Sequence, residues 1–270
     1  MDSATKNVIL EMEKLEVLYN NISVGIQGVT LKVREKQIVA LLGNNGAGKT
    51  STLRAVSGFL SLDNAKISGG TIRFRGEEIQ GKPPHAIANR GIIMVPEQDK
   101  IFETLTVEEN LQASVANRGA KTKELYDLIF EFFPALKNLR HRVGGYLSGG
   151  ERQMLSLSTA LLCRPSLLLV DELSLGLAPI MVEELMKLIK VIRDELEITV
   201  LLVEQNASAA LEVADFGYII ENGRIAFSGN PEKLKGDDEV KELYLGQGKR
   251  ETKKSYRDVK QYRRTKRFYG

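Results

Sequence analysis

The chain has little cysteine and no long apolar segment. Its one cysteine, Cys163, excludes an internal disulfide bond. Apolar residues surround it at 160–162, which predicts a small core side chain rather than a reactive thiol. The longest apolar run covers residues 38–42, far short of the roughly 20 residues that span a bilayer. The first residues lack a signal-peptide pattern, so we expect a cytoplasmic protein.

Charge is distributed unevenly along the 270 residues. Residues 249–270 hold ten Lys/Arg and two Asp/Glu, a net charge of +8, which leaves −5 on the rest of the chain. This basic tail also contains four aromatic residues. We expect a solvated, mostly disordered extension, with attachment to anionic lipid or nucleic acid as the alternative. The hydrophobic content of 43% is enough for a real core in the remainder.

A glycine-rich segment, GNNGAGKT at residues 43–50, follows the apolar run. The run is typical of a parallel strand covered on both faces, and a helix is expected after the segment. Glycines let consecutive backbone N–H groups point at an anion, and the helix N-terminus adds partial positive charge. The pattern therefore predicts a cradle for nucleotide phosphates. The expected nucleotide-binding residues here are Gly43, Asn44, Asn45, Gly46, Ala47, Gly48, Lys49, Thr50 and Ser51.

Two of these side chains have distinct expected roles. Lys49 supplies a point charge for the β- and γ-phosphates, and the Thr50 hydroxyl can hold Mg²⁺. Upstream, Tyr19 is a candidate for stacking on the nucleobase. A partly buried tyrosine at the end of a strand is an equal alternative for that residue.

The remaining pattern predicts an α/β protein. Short strands are expected at residues 8–10, 15–18 and 30–33, and a longer antiparallel strand with one wet face at 67–79. These should form a small side sheet. A buried strand is expected at 92–95, and Thr106 with Glu109 forms a capping box that starts a helical region extending to about residue 140.

Two further motifs complete the set: LSGGERQ at residues 147–153 and LLLVDE at residues 167–172. With the phosphate loop, they resemble the nucleotide-binding subunits of ABC transporters over residues 8–246. The resemblance implies a P-loop NTPase core of mostly parallel sheet, an antiparallel β side sheet and an inserted α-helical subdomain. We expect the α/β core at 1–105 and 156–248, the helical subdomain at 106–155 and the basic tail at 249–270.

The acidic pair at the end of the third motif has an expected role in hydrolysis. A core strand parallel to the phosphate-loop strand should deliver Asp171 beside Thr50, where a carboxylate can hold hydrated Mg²⁺. Glu172, one residue further, is placed to polarise the attacking water. ATP and Mg²⁺ are therefore the expected cofactors.

Ser148 is expected to cap a helix whose first turn exposes backbone N–H groups. This second anion site belongs to the helical subdomain and should not reach its own phosphate loop. By the family resemblance it contacts the nucleotide of a facing subunit through Ser148, Gly149, Gly150 and Glu151. The resemblance thus implies a homo- or heterodimer of ATPase subunits on integral-membrane permease subunits at the inner face of the cell membrane, working with an extracytoplasmic solute-binding protein.

A finer resemblance is to the ATPases of importers for branched-chain, or other hydrophobic, amino acids. It is carried by residues 95–97, 106–111, 174–179 and 202–206, and by an Asn-Gly hairpin at 220–225. Glu97 stands where the wider family has a glutamine at the end of a strand, and Gln98, one residue later, is the alternative for that role. Gln205 stands where the wider family has histidine. Both replacements are typical of the importer subfamily, and both residues are expected to face the nucleotide, with Gln205 hydrogen-bonding the γ-phosphate and the water.

Two other positions depart from the pattern: Ala178 replaces an aspartate, and Leu173 replaces the proline usual after the catalytic glutamate. Transport of urea, another amide or lipid remains an alternative function. A non-transport ATPase acting on nucleic acid is disfavoured, because the chain has neither a long coiled coil nor a second cassette.

Overall fold

The structure is a computed structural model that describes residues 7–97, 101–115 and 120–245, without the side chains of 120–123. Gln98 and the basic tail lie outside these residues. The strands are β1 Val8–Tyr19, β2 Ser23–Arg34, β3 Ile38–Leu42, β4 Ala65–Phe74, β5 Glu77–Glu78, β6 Ile92–Val95, β7 Leu167–Asp171, β8 Thr199–Glu204, β9 Phe216–Glu221 and β10 Arg224–Gly229. The helices are α1 Lys49–Ser57, α2 Pro84–Ala88, α3 Val107–Ala113, α4 Ala120–Phe132, α5 Pro134–Asn138, α6 Gly149–Leu162, α7 Pro179–Leu196, α8 Ala207–Val213, α9 Pro231–Gly236 and α10 Asp238–Leu243.

A six-stranded sheet in the order β10-β9-β3-β8-β7-β6 forms the centre of the fold. Its strands are parallel except for β10, which returns antiparallel to β9. Every residue of β3, β7 and β8 is buried. Along β3, Ile38, Ala40 and Leu42 face one apolar cluster, while Val39 and Leu41 face the other. The prediction of a doubly covered strand before the phosphate loop is therefore confirmed.

An antiparallel side sheet is present, as the sequence predicts, and its strand order is β2-β1-β4-β5. Its first two strands are longer than expected. The separate short strands predicted at 8–10 and 15–18 are wrong, because β1 runs without a break through both. A bulge between Met12 and Leu15, with Lys14 at φ 48°, keeps the chain in the sheet across its polar residues. The strand predicted at 67–79 is divided by a turn at Arg75 and Gly76, both with positive φ.

The helical region begins with the capping box between Thr106 and Glu109, as predicted. Three separate helices, α3, α4 and α5, occupy the stretch up to residue 138. Ile129, Phe133 and Leu136 pack in the same apolar cluster as one face of the central sheet. The domain boundaries stay a prediction, and α6 runs across the expected boundary at residue 155.

The prediction of a buried Cys163 is wrong. Helix α6 ends at Leu162, and Cys163 occupies its C-terminal cap, where the side chain is exposed. The preceding leucines turn towards the core, so apolar neighbours in the sequence did not imply a shared environment. None of the helices in the described part of the chain has the length and apolar character needed to cross a membrane.

Candidate nucleotide-binding site

The phosphate loop connects β3 to α1 at the carboxyl edge of the central sheet. Its glycines are required by geometry at two points. Gly48 has φ 108°, and a Cβ atom there would lie 2.8 Å from the carbonyl oxygen of Gly25. A Cβ atom on Gly43 would lie 2.4 Å from the carbonyl oxygen of Ile220. The loop backbone is therefore packed directly against neighbouring backbone, which fixes its path.

The hairpin between β9 and β10 also holds the loop. Asn222 and Gly223 both have positive φ, the conformation of a tight two-residue hairpin turn, as the sequence predicts. The Gly223 N–H donates to the Ala47 carbonyl at 2.9 Å. A residue 176 positions away in the chain thus anchors the middle of the phosphate loop.

Lys49 is only 4% exposed and its ammonium group lies inside the loop. Nζ donates to the carbonyl oxygens of Gly43 at 2.9 Å and Asn44 at 3.2 Å. It also lies 2.9 Å from Oε1 of Glu172. A buried ammonium needs such partners, because burying an unpaired charge is very costly. The loop and the turn after β7 are joined by this ion pair.

Asp171 ends β7 beside the first turn of α1. The Thr50 hydroxyl donates to Oδ1 of Asp171 at 3.2 Å, so the expected neighbours do meet. Burial raises the pKa of Asp171 to about 6, with the carboxylates of Glu172 and Glu97 acting in the same direction and the Thr50 hydrogen bond opposing it. Its other oxygen, Oδ2, is buried without a hydrogen-bond partner among the described residues.

These features fit a magnesium ion held jointly with a nucleotide. An unpartnered carboxylate oxygen beside a hydroxyl offers the hard oxygen ligands that Mg²⁺ takes, and Mg²⁺ keeps the rest of its shell as water and phosphate. Within the described residues, no cluster of three or more His, Cys, Asp or Glu side chains forms a metal site by itself. The donor set therefore suits a metal that arrives with a triphosphate.

Glu172 is placed at the mouth of the loop in an unusual backbone conformation. Its φ is 44°, which is uncommon for a residue other than glycine and costs on the order of 1–3 kcal/mol. Its N–H donates to the Val203 carbonyl at 2.9 Å. Leu173 follows with a fully buried side chain, so packing fixes this turn.

The other predicted site residues are arranged around this centre. The Tyr19 hydroxyl lies 2.7 Å from Oγ of Ser51, and its ring edge covers Gly25, so both alternatives for Tyr19 stay open. Glu97 follows β6 and is half-buried, and its charge contributes to the raised pKa of Asp171. Gln205 is exposed directly after β8. The strand-end glutamine candidate Gln98 lies outside the described residues.

Ser148 caps α6 as predicted, with a reciprocal box to Glu151. The Ser148 N–H donates to Oε2 of Glu151 at 2.7 Å, and the Glu151 N–H donates to Oγ of Ser148 at 3.4 Å. Ser148 and Gly149 are exposed, and Gly150 packs near Met181. The expected contact with a facing subunit stays a prediction.

The sequence analysis missed two residues that hold the loop after β6, one on α3 and one on α6. Asn110, only 1% exposed, accepts from the Phe102 N–H at 2.7 Å and donates to its carbonyl at 3.0 Å. Arg152 donates to Oε1 of Glu103 at 2.7 Å and to the Gly145 carbonyl at 2.8 Å. The segment at residues 102–105 is therefore fastened to the N-terminal end of α6. An asparagine in a helix and an arginine beside a glutamate give no such signal in the sequence.

A third missed residue is Glu204, the last residue of β8. It is fully buried and accepts hydrogen bonds from Ser174 N–H at 3.0 Å and Ser174 Oγ at 2.5 Å. Burial raises its pKa to about 7, although the hydrogen bonds from Ser174 lower it. In the sequence, the signal that could have identified Glu204 is a glutamate directly after the apolar residues of a predicted core strand.

A scan of family models matches residues 26–174, more than half of the chain, to the ABC transporter family. The chain belongs to the ABC transporter family. It is the ATP-binding, ATP-hydrolysing subunit of that family, with mixed sheets and helices as in the solved cassettes. A crystal structure of an ATP-binding cassette of an ABC transporter, in its ADP conformation, superposes with a TM-score of 0.77 at 25% identity. The superposition covers 89% of this chain and 99% of the cassette in that crystal structure.

Two curated relatives of this ABC subunit are matched along nearly their whole length. The high-affinity branched-chain amino acid transport ATP-binding protein BraG of Pseudomonas aeruginosa is 40% identical over 88% of this chain and 100% of its own. The lipopolysaccharide export system ATP-binding protein LptB of Haemophilus influenzae is 37% identical over 88% of this chain and 98% of its own. The two matches thus extend over nearly the whole length of both relatives.

The buried Glu204 carboxyl generates a pH dependence of stability that can be tested. Its pKa in the folded protein, about 7, is above the ordinary glutamate value of 4.5, so the folded state holds the proton more tightly. Wild-type stability should therefore fall as pH rises from about 4.5 to 7. Glu204→Gln lacks this loss. In chemical denaturation, the free energy of unfolding of Glu204→Gln should exceed that of wild type by near zero at pH 4.5 and by about 3 kcal/mol at pH 8.

Glu183→Gln, at an exposed position of α7, is the matched control and should follow wild type at each pH. If the free energy of unfolding of Glu204→Gln differs from that of wild type by the same amount at pH 4.5 and pH 8, the result would contradict the raised pKa of Glu204.

Proposed function

We propose that residues 43–50 hold the phosphates of ATP and that the acidic pair after β7 drives hydrolysis. The observation that carries this proposal is the convergence of Lys49, Thr50, Asp171 and Glu172 through contacts of 2.9–3.2 Å. The Lys49 ammonium is held by carbonyl oxygens and by Glu172. A triphosphate is a stronger partner for that ammonium, so its arrival would release the Glu172 carboxylate to act on water.

In this proposal, Mg²⁺ is held by the Thr50 hydroxyl and Asp171, the carboxylate with the unpartnered oxygen. The ion supplies charge neutralisation at the β- and γ-phosphates. Glu172 is the general base for the attacking water, and Gln205 hydrogen-bonds the γ-phosphate and the water from the end of β8. Glu97 faces the nucleotide from the end of β6.

We further propose that two ATPase subunits enclose the nucleotides between them. The proposed contact is the N-terminal turn of α6, at Ser148, Gly149, Gly150 and Glu151. It is supported by the exposure of Ser148 and Gly149 and by the anion preference of helix N-termini. Both phosphate sites would then be completed only in a homo- or heterodimer. Closing and reopening of the dimer would transmit work to the membrane subunits.

The proposed cargo is a branched-chain or other hydrophobic amino acid, carried inward through integral-membrane permease subunits from an extracytoplasmic solute-binding protein. The identity to BraG along its full length supports this choice, together with Glu97 and Gln205 at positions typical of the importer subfamily. The subunit would sit at the cytoplasmic face of the cell membrane. Nucleic acid is not among the proposed partners.

Lipid export is the second candidate, because LptB proteins reach 37% identity over the same share of the chain. The two functions use the same ATPase chemistry and differ in the membrane subunits. They are therefore separated by the partners and by the solute that stimulates hydrolysis.

Glu172→Gln should leave binding of Mg–ATP intact and slow its hydrolysis by about 10²–10⁴-fold, because the amide cannot accept the proton of water. It should also accumulate an ATP-dependent dimer. Steady-state phosphate release, nucleotide binding and light scattering measure the three effects. Glu183→Gln is the control and should hydrolyse ATP as wild type does. Undiminished turnover by Glu172→Gln would refute the assignment of the base.

The cargo is tested by isolating the membrane partners from native cells and reconstituting the complex in vesicles. Leucine, isoleucine and valine should stimulate ATP turnover in the presence of the extracytoplasmic binding protein. Lipopolysaccharide and urea serve as the matched alternatives. Stimulation by either of these, without a response to amino acids, would overturn the proposed cargo while leaving the ATPase assignment in place.

A further inference from the structure

Glu204 occupies a central place in the ATPase fold. It ends β8, the strand between the phosphate-loop strand β3 and the strand β7 that carries the acidic pair. The register sets Glu204 opposite Leu42, the residue before the loop, and Val203 opposite Asp171. Its side chain is fully buried, so its hydrogen-bonding capacity must be met within the protein.

The partner of Glu204 is the turn that follows Glu172. Ser174 donates its N–H to Oε1 of Glu204 at 3.0 Å and its hydroxyl to Oε2 at 2.5 Å. Both carboxyl oxygens are therefore used on one residue of this turn. Hydrogen bonds to an ionised carboxylate are stronger than those between neutral groups, and burial excludes competing water.

This turn requires support because Glu172 has a φ of 44°. A non-glycine residue keeps that conformation only where its surroundings over-determine it. The Glu172 N–H is held by the Val203 carbonyl at 2.9 Å, and the turn is closed by a hydrogen bond of 3.3 Å from Leu175 N–H to the Glu172 carbonyl. Strand β8 thus holds the turn twice, once by its main chain and once by the Glu204 side chain.

We propose that Glu204 is a positioning residue for ATP hydrolysis: its two hydrogen bonds to Ser174 hold the turn after β7 so that the Glu172 carboxylate points into the phosphate loop. This inference rests on the proposed function, because it takes Glu172 as the general base. The observed 2.9 Å contact between Glu172 and Lys49 is the orientation that the turn maintains. A displacement of about 1 Å in a catalytic group lowers the rate of the chemical step by up to roughly a hundredfold, with less effect on the affinity for ATP.

Two substitutions of Glu204 separate hydrogen bonding from charge. Glu204→Ala removes both bonds to Ser174. Glu204→Gln keeps them, since the amide oxygen accepts from the Ser174 N–H and the amide nitrogen donates to the Ser174 hydroxyl. Ser174→Ala, on the other side of the contact, removes only the hydroxyl bond. The three variants therefore form a graded series around one interaction.

The measurement is kcat for ATP at saturating Mg–ATP, beside the Kd for ATP and the melting temperature. Glu204→Ala should lower kcat about tenfold to a hundredfold. Its Kd should stay within about threefold of wild type, because the lost contact bears on the chemical step. Glu204→Gln should keep about half of wild-type kcat or more, and Ser174→Ala should lose roughly fivefold, as expected for one hydrogen bond. In a Glu172→Gln background, Glu204→Ala should cause little further loss, because both act through the same base.

Three results would overturn the proposal. The first is that Glu204→Gln loses as much kcat as Glu204→Ala, and the second is that Glu204→Ala binds ATP more weakly in proportion to its loss of kcat. The third is that Glu204→Ala lowers kcat in the Glu172→Gln background as much as it does in wild type. If Glu204→Ala does not fold, wild-type kcat in Ser174→Ala overturns it equally. Failure of the proposed function would look different, since wild type would lack ATPase activity or Glu172→Gln would be as fast as wild type.

Discussion

The structure depends on one buried cation. The Lys49 ammonium lies inside the phosphate loop, where Gly43, Asn44 and Glu172 surround it with oxygen atoms. A cation that is almost inaccessible to water must be paired, and its partners here lie directly after two strands of the central sheet, β3 and β7. In the proposed function, the charge that organises the phosphate loop is also the charge that a triphosphate would bind. Folding and nucleotide binding would then depend on the same ammonium group.

The central sheet explains how the remaining chemistry reaches that cation. Strands β3, β8 and β7 are neighbours, so their carboxyl ends deliver the phosphate loop, Glu204 and the acidic pair to one edge. Apolar residues cover both faces of these strands, and the polar groups at their ends are the ones left facing each other. The raised pKa values of Asp171 and Glu204 follow from this arrangement, because it buries carboxyl groups close together.

Much of this arrangement could be predicted from local sequence. The buried strand before the loop, the capping boxes at Thr106 and Ser148 and the Asn-Gly hairpin each follow from short-range rules, and all are present. The predictions were wrong where contacts between distant parts of the chain determine the structure. The long strand β1 continues through Glu13 and Lys14 because two partner strands hold it, and Cys163 is exposed because α6 ends one residue earlier.

The bond between Glu204 and Ser174 joins residues 30 positions apart, which no local pattern reveals. The same holds for Arg152 and Glu103, which are 49 positions apart. Sequence motifs thus predicted the groups that are proposed to touch the nucleotide, while the structure was needed to find the long-range hydrogen bonds beside them.

The central claim is that the Lys49 ammonium is the group that binds the triphosphate. It is tested most directly by the equilibrium Kd for Mg–ATP of Lys49→Met, compared with wild type and with Lys187→Met, an exposed lysine of α7. Loss of a charge-assisted contact predicts at least about tenfold weaker binding for Lys49→Met and no change for Lys187→Met, with both proteins folded. A folded Lys49→Met variant that binds Mg–ATP as tightly as wild type would contradict the account.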